Sequence, residues 1–282
     1  MFFPLRIKKI QMANRFSNAL ITNANWSEEI EKCCQTLIED IEVSPDLAMV
    51  FVSPHFADEF QEIADAIQEK LQPSNMIGCV GDSIISGGRE IEGDPAITIW
   101  AAALPDTKIE TTHLLLQRVS DGGIISGTEK LPIEHITVRQ ESVLIVLGEP
   151  FSFPTDLLLS QLAEDYPELR VLGGMASGFQ RPGKNLVLVN GTVCCEGAAG
   201  LLIDGGVQVH SVVSQGCRPI GDRLVVTKVE QNMVLELGGK PAMKVLEELF
   251  MRLPTSDKDL MSQGFFLGRV ISEYQDDYEM GD

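Results

Sequence analysis

The sequence has few of the features that mark membrane proteins and nucleic-acid-binding proteins. No apolar run approaches the roughly 18 residues that a membrane-spanning helix needs, and only 6% of the residues are aromatic. Basic residues are also scarce, because 22 Lys and Arg stand against 41 Asp and Glu and leave a formal net charge of −19. Nucleic acids and anionic membranes are bound through clustered Lys and Arg. The composition therefore predicts neither a nucleic-acid partner nor insertion into a membrane.

The cysteines do not follow a metal-binding or disulfide pattern. The chain contains no Cys-x-x-Cys and no His-x₃-His, which are common spacings of zinc ligands. Two adjacent pairs and two single cysteines in 282 residues are also unlike a disulfide framework. The adjacent pairs, Cys33–Cys34 and Cys194–Cys195, fit core and strand positions and receive no functional role. We expect no metal and no cofactor, and a reducing, cytoplasmic compartment.

A recognisable catalytic arrangement is also missing. Ser177 lies in Ala-Ser-Gly rather than in the Gly-x-Ser-x-Gly turn of serine hydrolases. His113, His135 and His210 have no evident partner in the sequence. A cysteine-dependent enzyme would have to use Cys217 together with a histidine brought near by folding. No catalytic residue is predicted, and a role other than catalysis is favoured.

The length suits a protein of two domains. A chain of 282 residues exceeds one small domain, and 44% hydrophobic residues suffice for packed cores. Residues 1–15 are interpreted as an N-terminal extension, in which Met12 is an alternative start to Met1 and no signal-peptide cleavage site occurs. We expect an α/β domain over residues 16–212 and part of a second domain over residues 213–282.

Two stretches, about 45–110 and 140–210, repeat the same order of predicted elements. In each, a buried strand leads through an amphipathic helix to a short strand with a glycine, and a further strand follows. The stretches align at a spacing of 95 residues, which places Val50 on Ile145 and Gly78 on Gly173. We interpret this as an internal duplication. The predicted fold is α/β, with two related sandwich-like halves whose mixed β-sheets are covered by helices.

Several short motifs occur in an order that resembles one protein family. They are Val52-Ser-Pro-His-Phe56, Ile77-Gly-Cys79, Gly88-Arg-Glu-Ile-Glu92 and Pro95-Ala-Ile in the first half, and Gly173-Gly, Gly216-Cys-Arg-Pro-Ile-Gly221 and Gly239-Lys-Pro-Ala in the second. In this order they resemble the FIST family, named for F-box and intracellular signal transduction proteins. The resemblance covers roughly residues 16–282, as a FIST N domain followed by a truncated FIST C domain.

The resemblance implies an intracellular sensory domain for signal transduction. Such a domain would bind a small ligand, such as an amino acid or a small carboxylate-like metabolite, and a signalling protein is a further expected partner. Two alternatives stay open on the residues alone. One is a cysteine-dependent hydrolase or transferase, and the other is an adaptor that binds a protein through its acidic face. The sequence does not indicate the oligomeric state.

The segment from Gly216 to Gly221 holds the first candidate ligand-binding residues, Cys217 and Arg218. An adjacent guanidinium favours the thiolate form of a cysteine and pairs well with a carboxylate. The proline that follows stiffens the loop, and the flanking glycines allow turns that other residues cannot make. The alternative interpretation is an ordinary turn with a buried cysteine.

The remaining candidates lie near the ends of predicted strands. His55 follows the first strand of the first repeat, at an end that often borders a crevice in layered α/β folds; packing or capping is the alternative. Arg89 and Glu90 follow a Gly-Gly turn and would bind an amino or carboxylate group, unless the loop pairs only with itself. Gly173 and Gly174 would cradle an anion through backbone amides, or serve close packing of the backbone.

Overall fold

The computed structural model describes residues 13–119, 122–133, 142–212, 220–221, 223–230 and 233–268. The chain divides into two compact units, Met1–Ser211 and Val212–Asp282. Each unit is described by itself. No helix within these described ranges is both long and apolar enough to cross a membrane.

The first unit combines strands and helices in alternation. Its strands are β1 (Arg15–Ile21), β2 (Leu47–Val52), β3 (Asn75–Val80), β4 (Ser83–Ser86), β5 (Arg89–Glu92), β6 (Ile97–Ala103), β7 (Lys108–Val119), β8 (Gly122–Ser126), β9 (Val143–Gly148), β10 (Arg170–Met175), β11 (Val187–Val189), β12 (Thr192–Cys194) and β13 (Ala198–Asp204). Its helices are α1 (Trp26–Ile41), α2 (Phe60–Leu71) and α3 (Thr155–Asp165), with short 3-10 turns at Pro54–Glu59 and Thr128–Lys130.

Two mixed sheets form the centre of this unit. Sheet 1 has the strand order β1-β6-β2-β3-β11-β12, and sheet 2 has the order β10-β9-β13-β7-β8. Each contains a parallel pair, β2–β3 in sheet 1 and β9–β10 in sheet 2, beside antiparallel neighbours. The predicted α/β fold with mixed sheets is confirmed.

Helices cover the outer faces of the two sheets, and the inner faces pack against each other. Helix α1 turns one apolar stripe inward at the helical spacing of three and four residues, and this stripe consists of Ile30, Cys34, Leu37 and Ile41. With α2 it buries the outer face of sheet 1, while α3 covers the outer face of sheet 2 through Leu158 and Leu162. A third cluster between the sheets includes Ile77 of sheet 1 and Leu201 of sheet 2. The unit is therefore a sandwich of four layers.

The internal duplication is visible in the strand pairing. β2, α2 and β3 form a parallel strand–helix–strand unit, and β9, α3 and β10 form another. In both, an antiparallel strand (β6 or β13) lies on the other side of the first strand. Gly78 pairs with Val50 and Gly173 pairs with Val146. The duplication is confirmed, but the sequence alignment of Val50 with Ile145 was wrong by one residue.

The paired glycines allow the parallel strands of each copy to approach closely. A Cβ atom on Gly78 would overlap the carbonyl oxygen of Val50, and one on Gly173 would overlap the carbonyl oxygen of Val146. A backbone oxygen has no rotamer by which to avoid such a clash. Glycine at these two positions is therefore required by the pairing of the strands.

A hairpin follows the second strand of each copy, and the two hairpins lie in different places. β4 and β5 form a separate two-stranded sheet. β11 and β12 instead join sheet 1, where Val187 pairs with Cys79 and Leu188 with Gly78. The hairpin of the second copy thus completes the sheet of the first copy.

The second unit is smaller and less buried. Strands β14 (Val226–Glu230), β15 (Met233–Leu237) and β16 (Lys240–Pro241) form its sheet, followed by helices α4 (Ala242–Arg252) and α5 (Thr255–Gln263). Apolar side chains of the two helices border an open groove of about 420 Å³, together with Phe265. Large side chains such as Met243 and Met251 are mostly exposed there, at 68% and 74%.

Candidate functional site

The turn after β2 places His55 at the surface. Ser53 is buried, donates its amide hydrogen to the Ala96 carbonyl at 2.8 Å and accepts the Ala96 amide on Oγ at 2.9 Å. These two bonds fix the turn to the start of β6. The imidazole Nδ1 of His55 lies 3.3 Å from Ser53 Oγ, and the histidine is exposed. His55 therefore stands at the carboxyl end of β2, where the sequence predicted it.

A loop of the second copy lies against this turn. Ser177 donates its amide hydrogen to the Val80 carbonyl at 3.0 Å, and its Oγ accepts the amide of Asp82 at 3.0 Å. Gly178 packs so tightly on Pro54 that an added Cβ would overlap the proline ring. The end of the parallel pair β2–β3 is thus bordered by residues of both copies.

Asn185 holds this loop in shape. Its side chain is fully buried, and it accepts the amide of Phe179 and donates to the Phe179 carbonyl, both at 3.0 Å. The neighbouring Lys184 reaches back to the first copy, where its Nζ lies 3.2 Å from Asp58 Oδ1. The loop is consequently tied both to itself and to the 3-10 turn that precedes α2.

The corresponding turn of the second copy contains a bound carboxylate of the protein itself. Glu149 takes the place of Ser53, because its amide donates to the Gly197 carbonyl at 2.8 Å at the start of β13. Glu149 is fully buried. Its Oε2 accepts the amides of Phe151 and Ser152 at 2.9 and 2.8 Å, and the Ser152 hydroxyl at 2.7 Å. A turn of this shape therefore binds a carboxylate through consecutive backbone amides.

The first copy has the same turn without a carboxylate. Both turns have proline after the first residue, in Ser53–Pro54–His55 and in Glu149–Pro150–Phe151. The amide of His55, equivalent to that of Phe151, has no hydrogen-bond partner among the described residues. Ser53 is too short to reach it as Glu149 reaches Phe151. The donor is left free for an external group.

The structure does not join the other candidates to this turn. Arg89 and Glu90 lie on the exposed strand β5, opposite Ser86 and Ile85. Neither side chain makes a hydrogen bond or an ion pair with any part of the chain that the structure describes. Their hairpin is attached to β1 instead, where Ser86 Oγ donates to Asn18 Oδ1 at 3.1 Å.

The two adjacent glycines Gly173 and Gly174 have different surroundings. Gly173 is needed for the approach of β10 to Val146, whereas Gly174 has no atom within 4 Å of an added Cβ and is exposed. Cys217 and Arg218 lie outside the residues that the structure describes.

One contact escaped the sequence analysis. Cys194 Sγ on β12 lies 3.8 Å from Nδ1 of His113 on β7, and Nε2 of His113 lies 2.8 Å from the carbonyl oxygen of Glu196. His113 therefore has a partner that was not evident in the sequence, and Cys194, which was assigned only a strand position, contacts its imidazole. The two residues are 81 positions apart, so no local motif joins them. Across the described ranges, no three His, Cys, Asp or Glu side chains converge as a metal site.

Comparisons with known proteins identify the family of the chain. A family profile described as "FIST N domain" matches residues 46–240. An uncharacterized protein of Mycobacterium tuberculosis strain H37Rv is 34% identical over 231 residues, which are 82% of this chain and 58% of the relative. An uncharacterized protein of Mycobacterium bovis is 30% identical over 231 residues, with the same shares of 82% and 58%.

The chain belongs to the FIST family, a family of sensory domains in signal transduction. It spans 58% of the length of the curated relatives that it matches.

Proposed function

We propose that this chain senses a small carboxylate-bearing ligand, such as an amino acid or a related metabolite, at the turn formed by Ser53, Pro54 and His55. The comparison of the two copies carries the proposal. The second copy binds the Glu149 carboxylate on two amides and a hydroxyl. The corresponding turn of the first copy has a serine in that place. Of the equivalent donors, it leaves the His55 amide free among the described residues, while the Phe56 amide donates to the Ser53 carbonyl. An external carboxylate would take the position that Glu149 fills in the second copy.

The chemistry of the turn suits such a ligand. Hydrogen bonds to a charged acceptor contribute about 1.5–3 kcal/mol each, more than bonds between neutral groups. The exposed imidazole of His55 stands beside the free amide and supplies a second polar contact. The protein's net charge of −19 opposes the approach of an anion only weakly, because salt screens surface charges beyond about 8 Å at physiological ionic strength.

The proposal is tested by thermal shift with a panel of amino acids and small carboxylates. A ligand at 100 times its Kd should add about 2.7 kcal/mol of stability. Ser53→Glu supplies an internal carboxylate, as in the second copy, and should abolish the shift. His55→Ala should weaken binding, while His210→Ala is the control because His210 is an exposed histidine away from the turn.

Two results would contradict the proposal. One is the absence of a shift with every member of the panel. The other is a shift that is equally large in the parent and in Ser53→Glu, since the ligand would then bind elsewhere.

The wider assignment follows the family. We propose that residues 16–212 form the FIST N-like domain and residues 213–282 part of a FIST C-like domain, in a cytoplasmic protein that passes the signal to a protein partner. The family profile, which begins at residue 46 and ends at 240, supports the sensory role.

A further inference from the structure

Cys194 and His113 form a contact between the two sheets of the first unit. Cys194 is the last residue of β12, at the edge of sheet 1, and His113 lies within β7 of sheet 2. Both side chains are partly exposed, and Sγ and Nδ1 are 3.8 Å apart. A thiol and an imidazole therefore meet where solvent reaches them.

The hydrogen bonds of His113 define which nitrogen accepts a proton. The Glu196 carbonyl oxygen, 2.8 Å from Nε2, can only accept a hydrogen bond. Nε2 consequently carries the hydrogen in the neutral ring, and Nδ1 presents a lone pair to the thiol of Cys194. This is the arrangement of a nucleophile beside a base that a third group holds in orientation.

Cys33 provides a comparison within the same chain. Burial raises the pKa of the Cys33 thiol, with a further contribution from Glu29. Burial also raises the pKa of Cys194, together with the nearby Cys195 and Glu196. Both thiols are partly exposed and protonated at neutral pH. Among the described residues, the imidazole contact distinguishes Cys194 from Cys33.

We propose that Cys194 is a site of oxidation by hydrogen peroxide, with His113 as the acceptor of the thiol proton. The sulfur attacks one peroxide oxygen and the O–O bond breaks. The thiol proton passes through Nδ1 to the departing oxygen, which leaves as water. The sulfur loses two electrons to the peroxide, and the product is the sulfenic acid of Cys194.

The choice of oxidant follows from charge and access. Hydrogen peroxide is small and uncharged, so it reaches a partly buried thiol and meets no repulsion from a protein with a net charge of −19. Oxidation would replace the contact of the sulfur with Nδ1, and would alter a link between sheet 1 and sheet 2. The site is independent of the proposed ligand turn at His55.

The experiment compares two thiols in one molecule. The Cys195→Ser chain removes the neighbouring thiol, which would condense with the sulfenic acid. It is treated with hydrogen peroxide at neutral pH, trapped with dimedone and analysed by peptide mass spectrometry. We expect Cys194 to be labelled about a hundred-fold faster than Cys33, the lower end of the assistance that a general base gives.

His113→Gln tests the role of the imidazole. Glutamine can donate to the Glu196 carbonyl but cannot accept the thiol proton, so labelling of Cys194 should fall to the rate of Cys33. Equal rates at the two cysteines with His113 present would overturn the proposal, and so would an unchanged Cys194 rate in a folded His113→Gln chain. If circular dichroism shows that His113→Gln is unfolded, the ratio of the two cysteines with His113 present decides alone.

Discussion

Alanine at Gly78 or Gly173 should damage the fold, whereas alanine at Gly174 should not. The first two glycines pack against a carbonyl of the paired parallel strand, at Val50 and Val146. Gly174 is next to Gly173 in the same strand, and an added Cβ there meets nothing within 4 Å. The three substitutions add the same methyl group and differ mainly in what it touches.

The surroundings of each glycine determine the expected change in the free energy of unfolding. Overpacking in a core typically costs about 1–3 kcal/mol, and Gly78→Ala should lie at or above the upper end because the obstacle is backbone. Gly173→Ala should cost at least as much, since its φ of +139° is also strained for an L-residue. Gly174→Ala should be neutral or stabilising by up to about 1 kcal/mol, because alanine reduces the freedom of the unfolded chain.

Urea unfolding followed by circular dichroism measures these differences, with thermal unfolding as a second readout. A loss of about 3 kcal/mol lowers Tm by roughly 6–12 °C in a unit of this size. The reasoning would be refuted if Gly78→Ala stayed within about 1 kcal/mol of the parent. It would also fail if Gly174→Ala cost as much as Gly173→Ala.

Two further predictions concern buried polar groups. Burial raises the pKa of Cys79 to about 12. The stability that the buried neutral thiol contributes is therefore fully present below about pH 8.5, the usual pKa of a thiol, and is lost as the pH rises toward 12. Cys79→Ala should therefore make the decline of unfolding free energy above about pH 9 shallower, by up to about 1.4 kcal/mol per pH unit in urea titrations, and an unchanged slope would contradict this. Asn185→Ala should cost about 2 kcal/mol, because it leaves the Phe179 amide and carbonyl without their buried partner. A urea midpoint equal to that of the parent would disprove the role of Asn185.

The sequence predicted the elements whose periodicity comes from one buried face. The helix of the first repeat was predicted from Asp58 onward because its apolar residues recur at helical spacing, and the structure has it as α2, which begins at Phe60. Strands β1 and β7 were not predicted, since polar and charged residues interrupt their alternation and their burial is partial. The alternation of polar and apolar residues is a weak signal for a strand that lies at an edge of its sheet or extends beyond the core.

The site was only partly accessible to sequence reasoning. His55 could be placed because it directly follows a predicted strand. Gly173 and Gly174 could not be distinguished, because the register of β10 on β9 decides which of two adjacent glycines faces a backbone oxygen. The contact of Cys194 with His113 depends on how two sheets cross, and no local spacing encodes that.

The hairpin of β11 and β12 makes the folding of the first copy depend on the second copy. Val187 pairs with Cys79, so more than a hundred residues separate the two partners at this edge of sheet 1. While the ribosome is still producing the second copy, the edge of β3 lacks its neighbour and presents unpaired backbone groups. Contacts of such long range slow folding and expose intermediates to aggregation. The first copy alone is therefore an incomplete sheet, and the duplicated halves became a single folding unit rather than two exchangeable modules.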